Sequence, residues 1–269
     1  SVVVLVAAIR PLLLRQSENR HRERHLATLG RLSEQMAHDL RNPLAALLGS
    51  IELLNDQVAR TGSLDAARVH LGIIESQAKR MNRVVDDYRR LGSVRPVVTQ
   101  TEPHLLVRRI ASGFRASLPE RIQLRMDAPD FGALRVDADL LEVALENLLR
   151  NAREALNGAG QVTLRFEKVE GWRAPKARFT VQDDGPGMDA STAELAFEEA
   201  FTTKATGTGL GLSYVRRVAE AHGGVARLTS RPGHGTTVWF ELPWRAVEEA
   251  ATRAEPDAFR GLPGSVTRH

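Results

Sequence analysis

Apolar residues recur alternately three and four apart through Leu29, Met36, Leu40, Leu44, Leu47, Ile51, Leu54 and Val58. After Thr61-Gly62-Ser63 the pattern resumes through Leu71, Ile74, Ala78, Met81, Val85 and Tyr88. A seam of this period sits still only as a helix with one apolar stripe. Two such helices joined by a short turn make an antiparallel hairpin. One hairpin leaves part of its stripe in water, so the economical structure is two copies packed as a four-helix bundle. The expected state is a homodimer.

Within the first helix lies Met36-Ala37-His38-Asp39-Leu40-Arg41-Asn42-Pro43-Leu44. At 100° per residue Asp39 stands beside His38, and Asn42 follows one turn on, close to the same face. A neutral imidazole nitrogen is a nucleophile near neutral pH. A neighbouring carboxylate can hold one tautomer and stabilise the positive charge that develops on attack. Pro43 cannot donate to the Asp39 carbonyl, so a bend is expected at this turn.

The 269 residues are enough for about two domains. Hydrophobic content of 42% and charged content of 26% are those of a globular chain and exclude disordered or collagen-like classes. Absence of cysteine excludes disulfides and thiolate chemistry. The pI near 9.9 accompanies a net charge of only +4. No basic segment is interleaved with aromatics, so nucleic acid is not expected as a partner.

After a linker expected at 93–100, a short helix is predicted near 103–117 and a longer one at 139–157. A third is predicted near 209–222. Strands are predicted near 121–126, 134–136, 161–167, 176–182, 225–229 and 236–242. Helices and strands mixed without strict alternation argue for an α+β layer with helices on one face.

Three downstream stretches carry candidate chemistry. Asn147 and Asn151 lie four apart on one helix, where two amides can offer oxygen to a hydrated Mg²⁺ and donors to phosphates. Asp183-Asp184-Gly185-Pro186-Gly187 sets a carboxylate able to accept an adenine amino group beside glycines that let backbone approach a ring. Gly207-Thr208-Gly209-Leu210-Gly211-Leu212 opens a helix whose first amides face an anion. A dinucleotide fold would need a glycine where Leu212 stands, and a Walker loop would need Gly-Lys-Thr.

In combination these stretches resemble the sensor histidine kinases of bacterial two-component systems over residues 26–243. His38-Asp-x-x-Asn-Pro is similar to their H-box, Asn147 to Asn151 to the N-box, and Asp183 to Gly187 to the G1 box. Phe201-Thr202-Thr203-Lys204 with Gly207 to Gly211 resembles the F and G2 boxes flanking an ATP lid, and Gly233-x-Gly235-Thr236 completes the set. The resemblance implies a Bergerat-type α/β sandwich after the hairpin, with ATP and Mg²⁺ as cofactors. It further implies that His38 accepts the γ-phosphoryl group and passes it to an aspartate on a response regulator receiver domain. By the same resemblance Asn151 is the Mg²⁺ ligand, Asp183 reads adenine, and Asn42 serves dephosphorylation of the regulator. Lys204, the only cation of the lid, is the candidate phosphate contact.

One departure stands at Glu154, where many of these kinases carry a lysine or similar residue. Arg150, Arg153 and Lys204 therefore all remain open as partners of the γ-phosphate. An ATP-gated clamp like Hsp90 or MutL is the alternative. Its water-activating glutamate would fall at Asn147, however, and Glu146 is turned about 100° away.

The boundaries expected are 1–25 for an entering helix, 26–92 for the hairpin, 101–245 for the ATP-binding domain and 246–269 for a disordered tail. The apolar run Val2 to Ile9 is too short to span a bilayer, which takes ~20 residues. With Arg10, Arg15, Arg20, Arg22 and Arg24 it reads either as the end of a spanning helix with a positive-inside flank or as a buried helix start. The first reading makes this the cytoplasmic region of an inner-membrane protein. His21 and His25 bracket Glu23 at i,i+4, but Arg22 stands where a zinc protease helix needs its glutamate, so a solvated face is expected there.

Overall fold

The computed structural model describes residues 33–60, 64–91, 94–171, 174–204 and 207–244. The run 2–9, the histidines at 21 and 25, the turn at 61–63 and the tail beyond 245 lie outside the described residues. None of the described helices is long and apolar enough to cross a membrane.

Helix α1 covers 33–60 and stays helical through the buried Pro43. Helix α2 is Leu64–Leu91. Two bonds cross between them: Tyr88 Oη donates to Asp39 Oδ2 at 3.0 Å, and His70 Nε2 lies 3.1 Å from Gln57 Oε1. Moving from 39 to 57 on α1 is matched by moving from 88 to 70 on α2, which is the register of an antiparallel hairpin. Leu44, Leu48, Leu53, Val58, Leu71 and Val85 remain exposed on it. A single chain thus leaves part of the predicted stripe, at Leu44, Val58, Leu71 and Val85, in water.

The second unit begins with β1 (Thr99–Thr101) and α3 (Pro103–Ala116), then β2 (Ile122–Asp127), β3 (Leu134–Val136), α4 (Ala138–Ala155), β4 (Gly160–Val169) and β5 (Lys176–Asp183). It closes with α5 (Ala190–Leu195), α6 (Gly211–Ala221), β6 (Val225–Ser230) and β7 (Thr236–Pro243). Five strands form one sheet in the order β2-β4-β5-β7-β6, with β2 parallel to β4 and the rest antiparallel. Helices α3, α4 and α6 pack against it.

Two elements go beyond the sequence expectation. Strand β1 lies at the end of the stretch read as linker and pairs with β3. Helix α5 is a six-residue turn whose start is capped by Asp189.

The period of two in β4 and β5 decides what faces the helices. Val162, Leu164 and Phe166 on β4 are buried, as are Ala177, Phe179 and Val181 on β5, while the residues between them are more exposed. Phe166, Phe179 and Phe240 stack across three strands with neighbouring centroids 5.0 Å apart. On the opposite face Glu241 pairs across the strands with Arg178 and also binds Lys176 at 2.8 Å. Burial raises its carboxyl, but these two cations outweigh that and hold it below the usual range.

The start of α4 is fixed at three points. Asp137 Oδ1 accepts from Leu140 N at 3.0 Å as the helix cap, and Oδ2 accepts from Val97 N at 2.7 Å. The Asp137 amide donates to His222 Nε2 at 3.0 Å, leaving Nδ1 to donate to the Val218 carbonyl. The N-terminus of α4 and the C-terminus of α6 are thereby locked together.

Candidate nucleotide and phosphoacceptor site

Asp183 has the same parity as Phe179 and Val181, so the alternation that builds the core also turns this carboxylate inward at the end of β5. It is 7% exposed. Its Oδ1 accepts from Gly185 N at 3.0 Å and from Thr236 N at 3.3 Å, the latter because Thr236 lies directly opposite in the β5–β7 register. Burial pushes its pKa up, and the two backbone donors only partly offset that. Both described bonds use the same oxygen, so Oδ2 is the acceptor available to an amino group. A buried carboxylate of this kind fits the exocyclic amine of adenine.

The adjacent Asp184 is exposed, but its Oδ1 accepts from Gln161 N at 2.7 Å and so anchors the start of β4. Gly187 has φ +68°, and a Cβ there would lie 2.0 Å from the Arg231 carbonyl. Only glycine lets the loop pass that point.

Asn147 and Asn151 project from α4 toward the start of α6. A Cβ on Gly211 would come 3.4 Å from Asn147 Oδ1 and 3.7 Å from Asn151 Nδ2, so the helix opening and both amides share one space. Asn147 is 4% exposed and accepts from Arg150 Nη2. Asn151 is half-buried. Gly209 is at φ +69°, and a Cβ there would lie 2.4 Å from the carbonyl carbon of Ala200, itself at φ +62°. Gly207 crosses Thr202 as closely. Leu210 is buried, while Thr203 and Lys204 are exposed.

Of the three candidate cations, Arg153 lies over the Phe114 ring, 5.9 Å from its centroid, and points toward α3. Arg150 is engaged by Asn147. Lys204 Nζ reaches Glu154 Oε2 at 2.5 Å and draws the Asp183 carboxyl downward by its charge. A cation from the lid thus stands beside position 154.

Among the described residues no group of three His, Cys, Asp or Glu side chains could hold a metal ion. The donors here suit a cation shared with phosphates, since Mg²⁺ keeps several waters and takes few protein ligands. Asn151 has the right chemistry for one such ligand.

On the hairpin, His38 is 62% exposed and its Nδ1 stands 3.6 Å from Asp39 Oδ1. Asp39, 14% exposed, accepts from Gln35 Nε2 at 3.0 Å and from Tyr88 Oη at 3.0 Å. Asn42 is exposed one turn on. In the sequence Tyr88 reads only as an apolar seam residue, and Gln35 is not singled out. Tyrosine on an apolar seam carries a polar tip that needs a partner, and that was the available signal.

The two sites meet through α2: Thr208 Oγ1, in the glycine loop, donates to Asp87 Oδ2 at 3.1 Å. Val84 and Tyr88 are buried in the same apolar cluster as the nucleotide domain.

Two family models match this chain in succession. Residues 28–96 match the His Kinase A (phospho-acceptor) domain, and residues 136–246 match the histidine kinase-, DNA gyrase B-, and HSP90-like ATPase. The chain belongs to the sensor histidine kinases.

This histidine kinase chain is 30% identical over 225 residues to the signal transduction histidine-protein kinase AtoS of Escherichia coli (strain K12), covering 81% of the chain and 35% of that protein. To the sensory histidine kinase/phosphatase NtrB of Klebsiella oxytoca it is 34% identical over 208 residues, covering 74% of the chain and 58% of that protein. It thus spans less than two thirds of the length of each of these relatives. Its fold is similar to that of histidine kinase ThkA in complex with response regulator protein TrrA. The TM-score is 0.65 at 22% identity, covering 86% of this chain and 66% of that one.

Proposed function

We propose that this chain transfers the γ-phosphoryl group of ATP to His38 and from there to an aspartate on a response regulator receiver domain. The observation that carries the reading is an exposed imidazole beside a held carboxylate, on a chain that also builds the buried Asp183 and the paired asparagines. In the first step the His38 Nε2 lone pair attacks the γ-phosphorus, a P–N bond forms, and the bond to the leaving ADP oxygen breaks. Asp39 stabilises the positive charge left on the ring. Asp183 and the glycines at 185 and 187 bind the base, and the amides opening α6 at Gly209, Leu210 and Gly211 receive phosphate oxygens. Mg²⁺ bound through Asn151 would supply neutralisation of phosphate charge.

The clamp alternative is disfavoured, because Asn147 occupies the inward position and Glu146 is exposed. Two copies pair through the exposed apolar residues of the hairpin to form a four-helix bundle, and the whole belongs to a longer protein anchored in the inner membrane. Asn42 orients a water toward a phosphoaspartate docked on α1, making the same chain a phosphatase of its regulator. Incubation with γ-labelled ATP and a purified receiver domain, followed by quenching in acid and in base, separates phosphohistidine from phosphoaspartate and tests both transfers.

A further inference from the structure

Resting on the reading of His38 as phosphoacceptor, we infer that Tyr88 is a positioning residue for the phosphoryl transfer, acting through Asp39 from the opposite helix of the hairpin. Asp39 Oδ1 stands 3.6 Å from Nδ1 of the His38 ring, and the orientation of this carboxylate bears on which ring nitrogen keeps the proton. That orientation is set by two donors, Gln35 on the same helix and Tyr88 across the hairpin, one on each carboxylate oxygen. Gln35 is a local contact that moves with α1. Tyr88 is different: its ring is buried among residues of both units, and its hydroxyl reaches the carboxylate at 3.0 Å. Burial and the Asp39 carboxylate both push the phenol up, so it remains a donor throughout the physiological range. With both oxygens engaged, Asp39 faces Nδ1 of His38, which favours the proton on Nδ1 and leaves Nε2 outward as the nucleophile. The neighbouring Asp87 binds the glycine loop through Thr208, so consecutive residues of α2 touch the acceptor side and the nucleotide side.

The test uses the full chain with Tyr88→Phe, which keeps the ring in the core and removes only the hydroxyl. Melting curves fix a temperature at which both proteins are folded. At that temperature, labelling of Tyr88→Phe from γ-labelled ATP is expected to be about tenfold slower, the scale of a lost charge-assisted hydrogen bond, with unchanged ATP affinity. ¹⁵N NMR of the His38 ring, assigned by its loss in His38→Gln, should show mainly the Nδ1–H tautomer in the wild type. Tyr88→Phe should give a mixture. A purely packing role would move neither signal. Wild-type labelling rate or an unchanged tautomer ratio in Tyr88→Phe, with the wild type labelled on His38, would overturn the role of Tyr88 alone. A wild type that takes no label on His38 would remove the underlying reading as well.

Discussion

Lys204 of the lid and Glu154 of α4 form an ion pair at 2.5 Å at the edge of the nucleotide site. If Lys204 is the cation that meets the γ-phosphate, as proposed, nucleotide must displace Glu154 from it. The two side chains are 40% and 42% exposed, and an exposed pair of this kind is worth ~0.2–1 kcal/mol. Glu154→Gln should therefore tighten ATP binding by roughly 1.4- to fivefold. In a Lys204→Ala background the same change should have no effect. Titration with a fluorescent nucleotide checks both arms.

Asp183 is placed for its ligand at a cost to the empty fold. Its folded pKa lies above the unfolded value, so the folded state binds the proton more tightly. The stabilisation from protonation is full below the unfolded pKa of about 3.9, and it is lost as pH rises through the folded value. Asp183→Asn keeps an acceptor for Gly185 and Thr236 without the charge. At pH 7 and without nucleotide it should melt no earlier than the wild type, yet bind ATP at least about tenfold more weakly, as expected when a buried acceptor for the adenine amine is altered. A melt series from pH 4 to 8 alongside nucleotide titration separates the two effects.

Much of this architecture was legible in the chain, and the exceptions have a common physical cause. The hairpin followed from its apolar period. The major helices and the six predicted strands of the second unit followed from local pattern and turn residues, with boundaries shifted by a residue or two. Strand β1 was not legible, because Thr99-Gln100-Thr101 has no alternating apolar pattern and its strand character comes from pairing with β3. Sheet order was equally closed to local reading, since β2 finds β4 only across an intervening helix. The residues proposed for the nucleotide site stood out because their motifs are contiguous. Tyr88 and Gln35 were not, because their meaning lies in a contact with Asp39 that requires both helices to be placed. Glu154 stood out as a departure and Lys204 as the lid's cation, but their pairing across 50 positions did not.

Two glycines of the site should respond in opposite ways to alanine. Gly187→Ala forces a side chain into positive φ and onto the Arg231 carbonyl, and should cost at least about 1–3 kcal/mol of stability. Gly211→Ala meets only ordinary contacts in a helix and should not lower the melting temperature. Its methyl enters the space between Asn147 and Asn151, so ATP affinity should fall. Thermal melts and nucleotide titrations on both variants give the comparison.

Asn42→Ala, at an exposed position one turn from His38, should leave helix stability and His38 labelling close to wild type. Dephosphorylation of a purified phospho-regulator in the presence of ADP should fall by about tenfold or more, the scale of losing an orienting group. A parallel loss of labelling and melting temperature would make Asn42 a structural residue of the Pro43 turn.

The central claim is that His38 accepts phosphoryl from ATP bound at the site around Asp183 and Asn151. Incubating the full chain with γ-labelled ATP and Mg²⁺, beside His38→Gln, tests it most directly. The account predicts acid-labile, base-stable label on the wild type and none on His38→Gln, with both proteins binding ATP equally well. Acid-labile label retained on His38→Gln would contradict it.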